Sequence, residues 1–166
     1  CSHVINVQGD EILVMPDDLE RMVVAIYARP EIEYWNAIAP IEKHVELEDT
    51  AIVKCVVSIA GKILYCARTF NHLNLEIPFE PIYKILGILG YSKKSALSFS
   101  KLSRTSIEAT QSIDQSRIIE HDISLMSIPF KIGYPGINDA REEKMVREIL
   151  KTDEKQSVIL TKILSR

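Results

Sequence analysis

The segment Ala51–Phe70, AIVKCVVSIAGKILYCARTF, constrains this chain more than any other. Two runs rich in β-branched and apolar residues flank Ala60-Gly61, a pattern that predicts a tight β-hairpin. With those two residues as the turn, Cys55 opposes Cys66, Val57 opposes Leu64 and Val53 opposes Arg68. A slip of one residue would move every side chain of a run to the opposite face, so the register matters. A hairpin alone does not bury enough apolar surface to stay folded, and the rest of the chain must supply further strands and covering helices.

Val4–Val14 is a short apolar stretch broken at Gly9-Asp10, readable as a loose hairpin or an arm. Pro16-Asp17-Asp18 opens a helix, with carboxylates at its positive end. Leu19, Met22, Val23 and Ile26 recur at helical spacing, and Pro30 stops the run. Ile32 to Ala39 reads as extended and Pro40–Leu47 as a short helical turn. Ile82, Ile85, Leu86 and Leu89 form one helical stripe, so Pro81–Leu89 is predicted as a short helix closed by Gly87 and Gly90. The serine- and lysine-rich YSKKSALSFSKLSR is expected to be a solvated loop. Ser106–Ile113 and Ile128–Tyr134 read as strands, with a helical turn at Asp114–His121 between them. Asp139 with Glu142 resembles a capping box opening a helix to about Lys151, and Ser157–Leu164 reads as a final apolar strand. The mix predicts an α+β fold, a mainly antiparallel sheet with flanking helices.

Composition narrows the class without naming a job. The 166 residues are one domain's worth of chain, and 46% hydrophobic with 26% charged residues is globular usage. A net charge of -3 argues against a nucleic-acid binder of the usual basic kind. Three cysteines, without a CxxC or a Cys/His cluster, fit reduced thiols in a cytoplasmic protein. The four histidines are scattered, and neither a metal nor another cofactor is expected. No apolar run reaches the length of a membrane span. The chain begins without Met, so it is either processed or a piece of a longer protein. No nucleophile elbow or phosphate-cradling glycine pattern occurs.

Arg68 is the most informative polar residue. By strand alternation it shares a face with Leu64, Cys66 and Phe70, where a guanidinium is costly unless something anionic meets it. It reads either as an anion receptor for a carboxylate or phosphate, or as a strand-end arginine paired locally. On the predicted strand SRTSIEAT, Arg104, Ser106 and Glu108 share a face that would line a pocket opposite Arg68, or else face solvent. Cys55 and Cys66 are read as reduced core thiols rather than a cross-strand disulfide.

From Ala39 to Ala109 the chain resembles the UTRA domain, the effector-binding module of HutC-type GntR transcription regulators, which shares its fold with chorismate lyase. The residues carrying the resemblance are APIEKHVELEDTAIVKCVVSIAGKILYCARTFNHLNL, then PIYKILGILGY, then the IEA at Ile107–Ala109. The resemblance implies a chorismate lyase-like fold and a cytoplasmic homodimer. It implies a small anionic metabolite as effector, bound by Arg68, Arg104, Ser106, Glu108 and Tyr83. Residues 1–166 would then be a single ligand-binding domain, with DNA contacted only through a winged-helix reader preceding residue 1. The alternative it allows is a chorismate lyase-like enzyme releasing pyruvate and 4-hydroxybenzoate. Against that alternative, Val53 stands where the lyase has a second arginine and Lys162 where it has a carboxylate.

Overall fold

A computed structural model describes residues 1–70 and 80–165. The NHLNL end of the segment quoted above, His72 included, lies outside the described residues. The described residues form β1 (His3–Val7), α1 (Pro16–Ala28), β2 (Tyr34–Pro40), α2 (His44–Glu48), β3 (Lys54–Val57) and β4 (Ile63–Ala67). After these come β5 (Ile82–Ser92), α3 (Lys93–Phe99), α4 (Ser106–Gln111), α5 (Gln115–Glu120), β6 (Leu125–Pro129), α6 (Ala140–Thr152) and α7 (Glu154–Leu164).

The six strands make one mostly antiparallel sheet in the order β4-β3-β5-β2-β6, with β1 also on β5. Among the described residues only β2 and β6 pair in parallel. The hairpin forms as its sequence requires: Cys55 lies opposite Cys66, and Gly61 takes the left-handed backbone of the turn with φ 83°. A bulge past Val56 sets Val57 opposite Ile63 rather than Leu64, and the ladder begins at Lys54, leaving Val53 and Arg68 outside it.

The stretch expected as a helix at Pro81–Leu89 is the central strand β5. Helical spacing was only one reading of a continuous apolar run. A strand covered on both faces needs no alternation, and its isoleucines and aromatics suit the pleat. Tyr34, Ile38, Leu89 and Tyr91 face one layer with Cys55, Cys66, Ile113 and Ile118. Trp35, Ala37, Leu86 and Ile88 face the other, against Met22 and Ile26 of α1. Gly90 sits where α1 crosses most closely: a Cβ there would lie 2.9 Å from Ile26 Cδ1 and 3.3 Å from Trp35 Cβ.

Three other local expectations are corrected. The serine-rich loop forms α3, whose N-terminus is capped by Ser92 Oγ on Ser95 N–H at 3.0 Å. Of the expected strand Ser106–Ile113, Ser106–Gln111 is helix α4, because the Glu108 carboxylate folds back to the Thr105 N–H at 3.3 Å, the return half of a capping box. Ser157–Leu164 is helical as part of α7, started by Asp153 Oδ1 on Gln156 N–H. The helices at α1 and α6 form as predicted, the latter capped by Asp139 on Arg141 and Glu142.

Candidate functional site

β1 and β3 lie end to end along the same side of β5. β1 ends at Val7 opposite Ile88, and β3 begins at Lys54 opposite Lys84. Between them the edge of β5 at Ile85–Gly87 has no strand ladder, and a cavity of about 520 Å³ opens there. A break between strand ends is where open sheets place ligands, because loops diverge there and leave a crevice. The walls are the turn after β1, the segment before β3, the α4–α5 junction and the loop from β6 into α6.

The backbone exposed by this break is satisfied from the walls. The Gly87 N–H donates to Glu11 Oε1 at 2.5 Å, and its carbonyl accepts from Gln8 N–H at 2.8 Å. Ile85 N–H donates to the Val53 carbonyl at 2.9 Å. A side chain at Gly87 would strike Gln8, whose Oε1 lies 2.6 Å from the Cβ position. Burial pushes the Glu11 carboxyl above its ordinary range, against the pull of the Gly87 N–H. Across the cavity Lys84 Nζ donates to Glu46 Oε1 at 2.7 Å, while Glu46 Oε2 accepts from the N–H groups of Glu42 and Lys43. Burial works to raise the Glu46 carboxyl, but Lys84 and the two N–H groups outweigh it and hold it below its ordinary range. Arg141 reaches Asp49 at 3.2 Å and ties α6 to the rim.

Arg68 lines this cavity, half-buried, among polar as well as apolar groups, and backbone carbonyls take most of its donors. Its Nε donates to the Gln111 carbonyl at 2.9 Å, Nη1 to Thr50 and Ala51, and Nη2 to Ser112. A guanidinium has five N–H donors, so one remains uncommitted among the described residues. The other residues expected to join it lie elsewhere. Tyr83 stands on β5 opposite Cys55, away from the cavity lining, where burial pushes its phenol up. Glu108 is 2% exposed and paired with Arg117, whose Nε lies 2.8 Å from Oε2. Arg104 approaches the same carboxylate from solvent at 3.7 Å, and Ser106 is an exposed first residue of α4. The polar strand face expected opposite Arg68 therefore does not form, because its residues are on a helix. Sequence reasoning passed over Asp10, Glu11, Lys84, Asp114, Gln115 and Arg141. A signal for the first two was present, since the polar Gln8-Gly9-Asp10-Glu11 directly follows an apolar strand.

Among the described residues no group of three or more His, Cys, Asp or Glu side chains is arranged to hold a metal ion. Nor is any described helix long and apolar enough to cross a membrane.

The family model for cytidylyltransferases matches residues 2–128, and the chain belongs to that family. It is 27% identical over 153 residues to a 3-deoxy-manno-octulosonate cytidylyltransferase of Chlorobium phaeovibrioides, covering 90% of this chain and 62% of the relative. The enzyme of the same name from Myxococcus xanthus is 30% identical over 123 residues, 73% of this chain and 49% of that one. The Zea mays enzyme is 25% identical over 152 residues, covering 90% and 51%. Among solved structures, a CMP:2-keto-3-deoxy-manno-octonic acid synthetase complexed with CTP superposes with a TM-score of 0.80 at 23% identity, over 92% of this chain and 63% of that one. The chain thus spans from 49% to 63% of the length of these relatives.

These matches overturn the resemblance to UTRA and, with it, the transcription regulator, its DNA reader and the chorismate lyase alternative. The sheet is that of a nucleotidyltransferase fold, not a chorismate lyase-like one. The misleading residues are explicable: PIYKILGILGY is a central strand rather than a short helix, and the IEA lies on α4 rather than ending a strand.

Proposed function

We propose that residues 1–166 form a ligand-binding unit of a cytidylyltransferase, and that the cavity beside β5 takes an acidic sugar as acceptor. The chemistry of the class forms a bond from an acceptor oxygen to the α-phosphorus of CTP and breaks the α–β phosphoanhydride, releasing pyrophosphate. The acceptor hydroxyl gives up its proton.

The observation that carries this reading is the charge balance of the cavity. Six carboxylate side chains and four cationic ones line it. A triphosphate chain, itself polyanionic, is repelled by that excess of carboxylates. A sugar acid suits it better: hydroxyls donate to the carboxylates, and one carboxylate meets the cations at Arg68, Lys84 or Arg141. The names of the relatives supply the particular acid, 3-deoxy-manno-octulosonate.

Thermal denaturation of the chain with 3-deoxy-manno-octulosonate and, separately, with magnesium CTP tests the assignment. Stabilisation by the sugar acid, approaching about 2.7 kcal/mol at 100 times its dissociation constant, is expected. A shift with CTP and none with the sugar acid would overturn the acceptor assignment. Pyrophosphate release with both present tests for the complete reaction.

A further inference from the structure

We propose that Asn36 is a positioning residue that locks the Gln115 amide, so that the cavity wall presents a hydrogen-bond acceptor, Gln115 Oε1, to a hydroxyl of the ligand. The inference rests on the acceptor-cavity reading above and assigns it a specificity element.

Asn36 is wholly buried in the middle of β2. The β2–β5 register jumps there from Asn36–Leu89 to Ile38–Ile85, and the irregularity frees backbone carbonyls. Asn36 Nδ2 lies 2.7 Å from the Ala37 carbonyl and 2.9 Å from the Leu86 carbonyl. Carbonyl oxygens only accept, so the atom facing both must be the amide nitrogen. The Asn36 oxygen is thereby turned to Gln115, with Oδ1 and Nε2 at 2.9 Å. Two amide oxygens cannot hydrogen-bond, so Gln115 must present its NH2 to Asn36. Gln115 is 6% exposed and lines the cavity. Its Oε1 has no protein partner among the described residues. An acceptor fixed in this way and open to the cavity favours a ligand group that donates and disfavours one that only accepts, because a mismatched group would displace its water and leave it unpaired. Two backbone carbonyls on the sheet thus determine the hydrogen-bonding sense of a side chain on α5.

The first test uses the ligand-free protein. The Gln115 side-chain NH2 protons should exchange with solvent at least about tenfold more slowly than those of exposed Gln8, and Asn36→Leu should abolish the protection. Rapid exchange in the unmutated protein overturns the lock. The second uses 3-deoxy-manno-octulosonate and its analogues with single hydroxyls replaced by fluorine, which does not donate. At one position the unmutated protein should prefer hydroxyl to fluorine by about tenfold or more, and Asn36→Leu should erase that preference while retaining the rest. Equal weakening of every analogue marks Asn36 as merely structural and overturns the proposal, as does a preference that survives the substitution. Should Asn36→Leu not fold, Gln115→Met removes the acceptor without touching the β2 irregularity and must lose the same preference. If the sugar does not bind the unmutated protein, the acceptor-cavity reading falls and the specificity claim with it. The exchange result on the free protein separates that failure from a failure of the Asn36–Gln115 lock.

Discussion

Lys54 and Arg68 divide four consecutive backbone carbonyls between them. Lys54 Nζ donates to Asp49 at 2.7 Å and to Ile52 at 2.9 Å, and Arg68 Nη1 donates to Thr50 at 2.9 Å and Ala51 at 3.3 Å. Lys54 spends its third donor on the carbonyl of Arg68 itself. The segment walling the cavity before β3 is therefore shaped by two cations drawn from the hairpin. Lys54→Met should cost about 2–4 kcal/mol, since it strands three carbonyls, two of them in that wall. It should also weaken sugar-acid binding. Urea denaturation with parallel calorimetric titration checks both. A loss of stability with unaltered affinity would separate this wall from the binding surface.

The same lysine gives stability a dependence on alkaline pH. Lys54 is fully buried, and burial pushes its ammonium down from 10.5 to about 8, with Arg68 adding to the effect and Asp49 opposing it. Between those values the unfolded chain keeps a proton that the folded chain has released. Unfolding takes up that proton, so the contribution of this group to stability rises with pH from about 8 to 10.5. The stability of the unmutated protein relative to Lys54→Met should grow over that window and be flat below it. A difference that shrinks above pH 8 contradicts the assignment.

Glu108 supplies the acid-side dependence. Arg117 hydrogen-bonds its carboxylate and, with the Thr105 N–H and Arg104, outweighs burial to hold it below the ordinary 4.5. Its folded value is depressed, so the stability it contributes is present above 4.5 and disappears as pH falls through the folded value. Arg117 also lies over the Phe99 ring, 4.6 Å from its centroid, so the pair joins α4, α5 and α3. Arg117→Met leaves a buried carboxylate unpaired and should cost about 3–5 kcal/mol at pH 7. The penalty should diminish as pH falls through the ordinary carboxylate range, where Glu108 of the variant takes up a proton while that of the unmutated protein stays ionised. Chemical denaturation of both proteins across pH 3–7 checks it.

Gly133 predicts a change confined to the cavity. A Cβ there would lie 2.8 Å from Ala39 Cβ, 3.2 Å from Lys84 Cε and 3.3 Å from Leu86 Cδ2. Ala39 is on the rigid sheet and cannot yield, so the loop from β6 to α6 must move outward. Gly133→Ala should cost about 1–3 kcal/mol and loosen the Lys84–Glu46 side of the cavity. Gly90→Ala meets side-chain ends of α1 instead and should lower stability without altering ligand affinity. Equal effects on affinity from both substitutions would argue against the cavity as the binding site.

The hairpin was legible because turn chemistry and β-branching are local, and Cys55 does face Cys66. α1 and α6 were legible because proline, carboxylates and caps mark their starts. β5 was not, since a strand buried on both faces loses the alternation that distinguishes it from a helix. α4 carried its signal in Thr105 and Glu108, which a strand reading of SRTSIEAT overrode. The cavity was illegible for a different reason. Glu11 meets Gly87, Glu46 meets Lys84 and Gln115 meets Asn36 across separations of 76, 38 and 79 residues, set only by the β1–β5–β3 break. Arg68 was read as a cation that needs an anion, a local carboxylate or water. Four of its donors meet backbone carbonyls, a possibility that pairing rules between side chains do not bring to mind.

The three cysteines offer a test of the two-layer core itself. Cys55 and Cys66 are 0% and 1% exposed, directly opposed across β3 and β4, and both free, whereas Cys1 is exposed. Burial pushes the Cys66 thiol up to about 12, and burial together with Cys66 pushes Cys55 up as well. Thiolate is the reactive form, so neither buried thiol should react at pH 8 while the sheet is intact. A chromogenic disulfide reagent should titrate one thiol quickly in the native protein and all three in guanidinium. Slow labelling of the remaining two should follow global unfolding, and Gly90→Ala should accelerate it by a factor matching its loss of stability. Fast labelling of two or three thiols in the native protein would mean that the hairpin opens on its own and that α5 does not seal it.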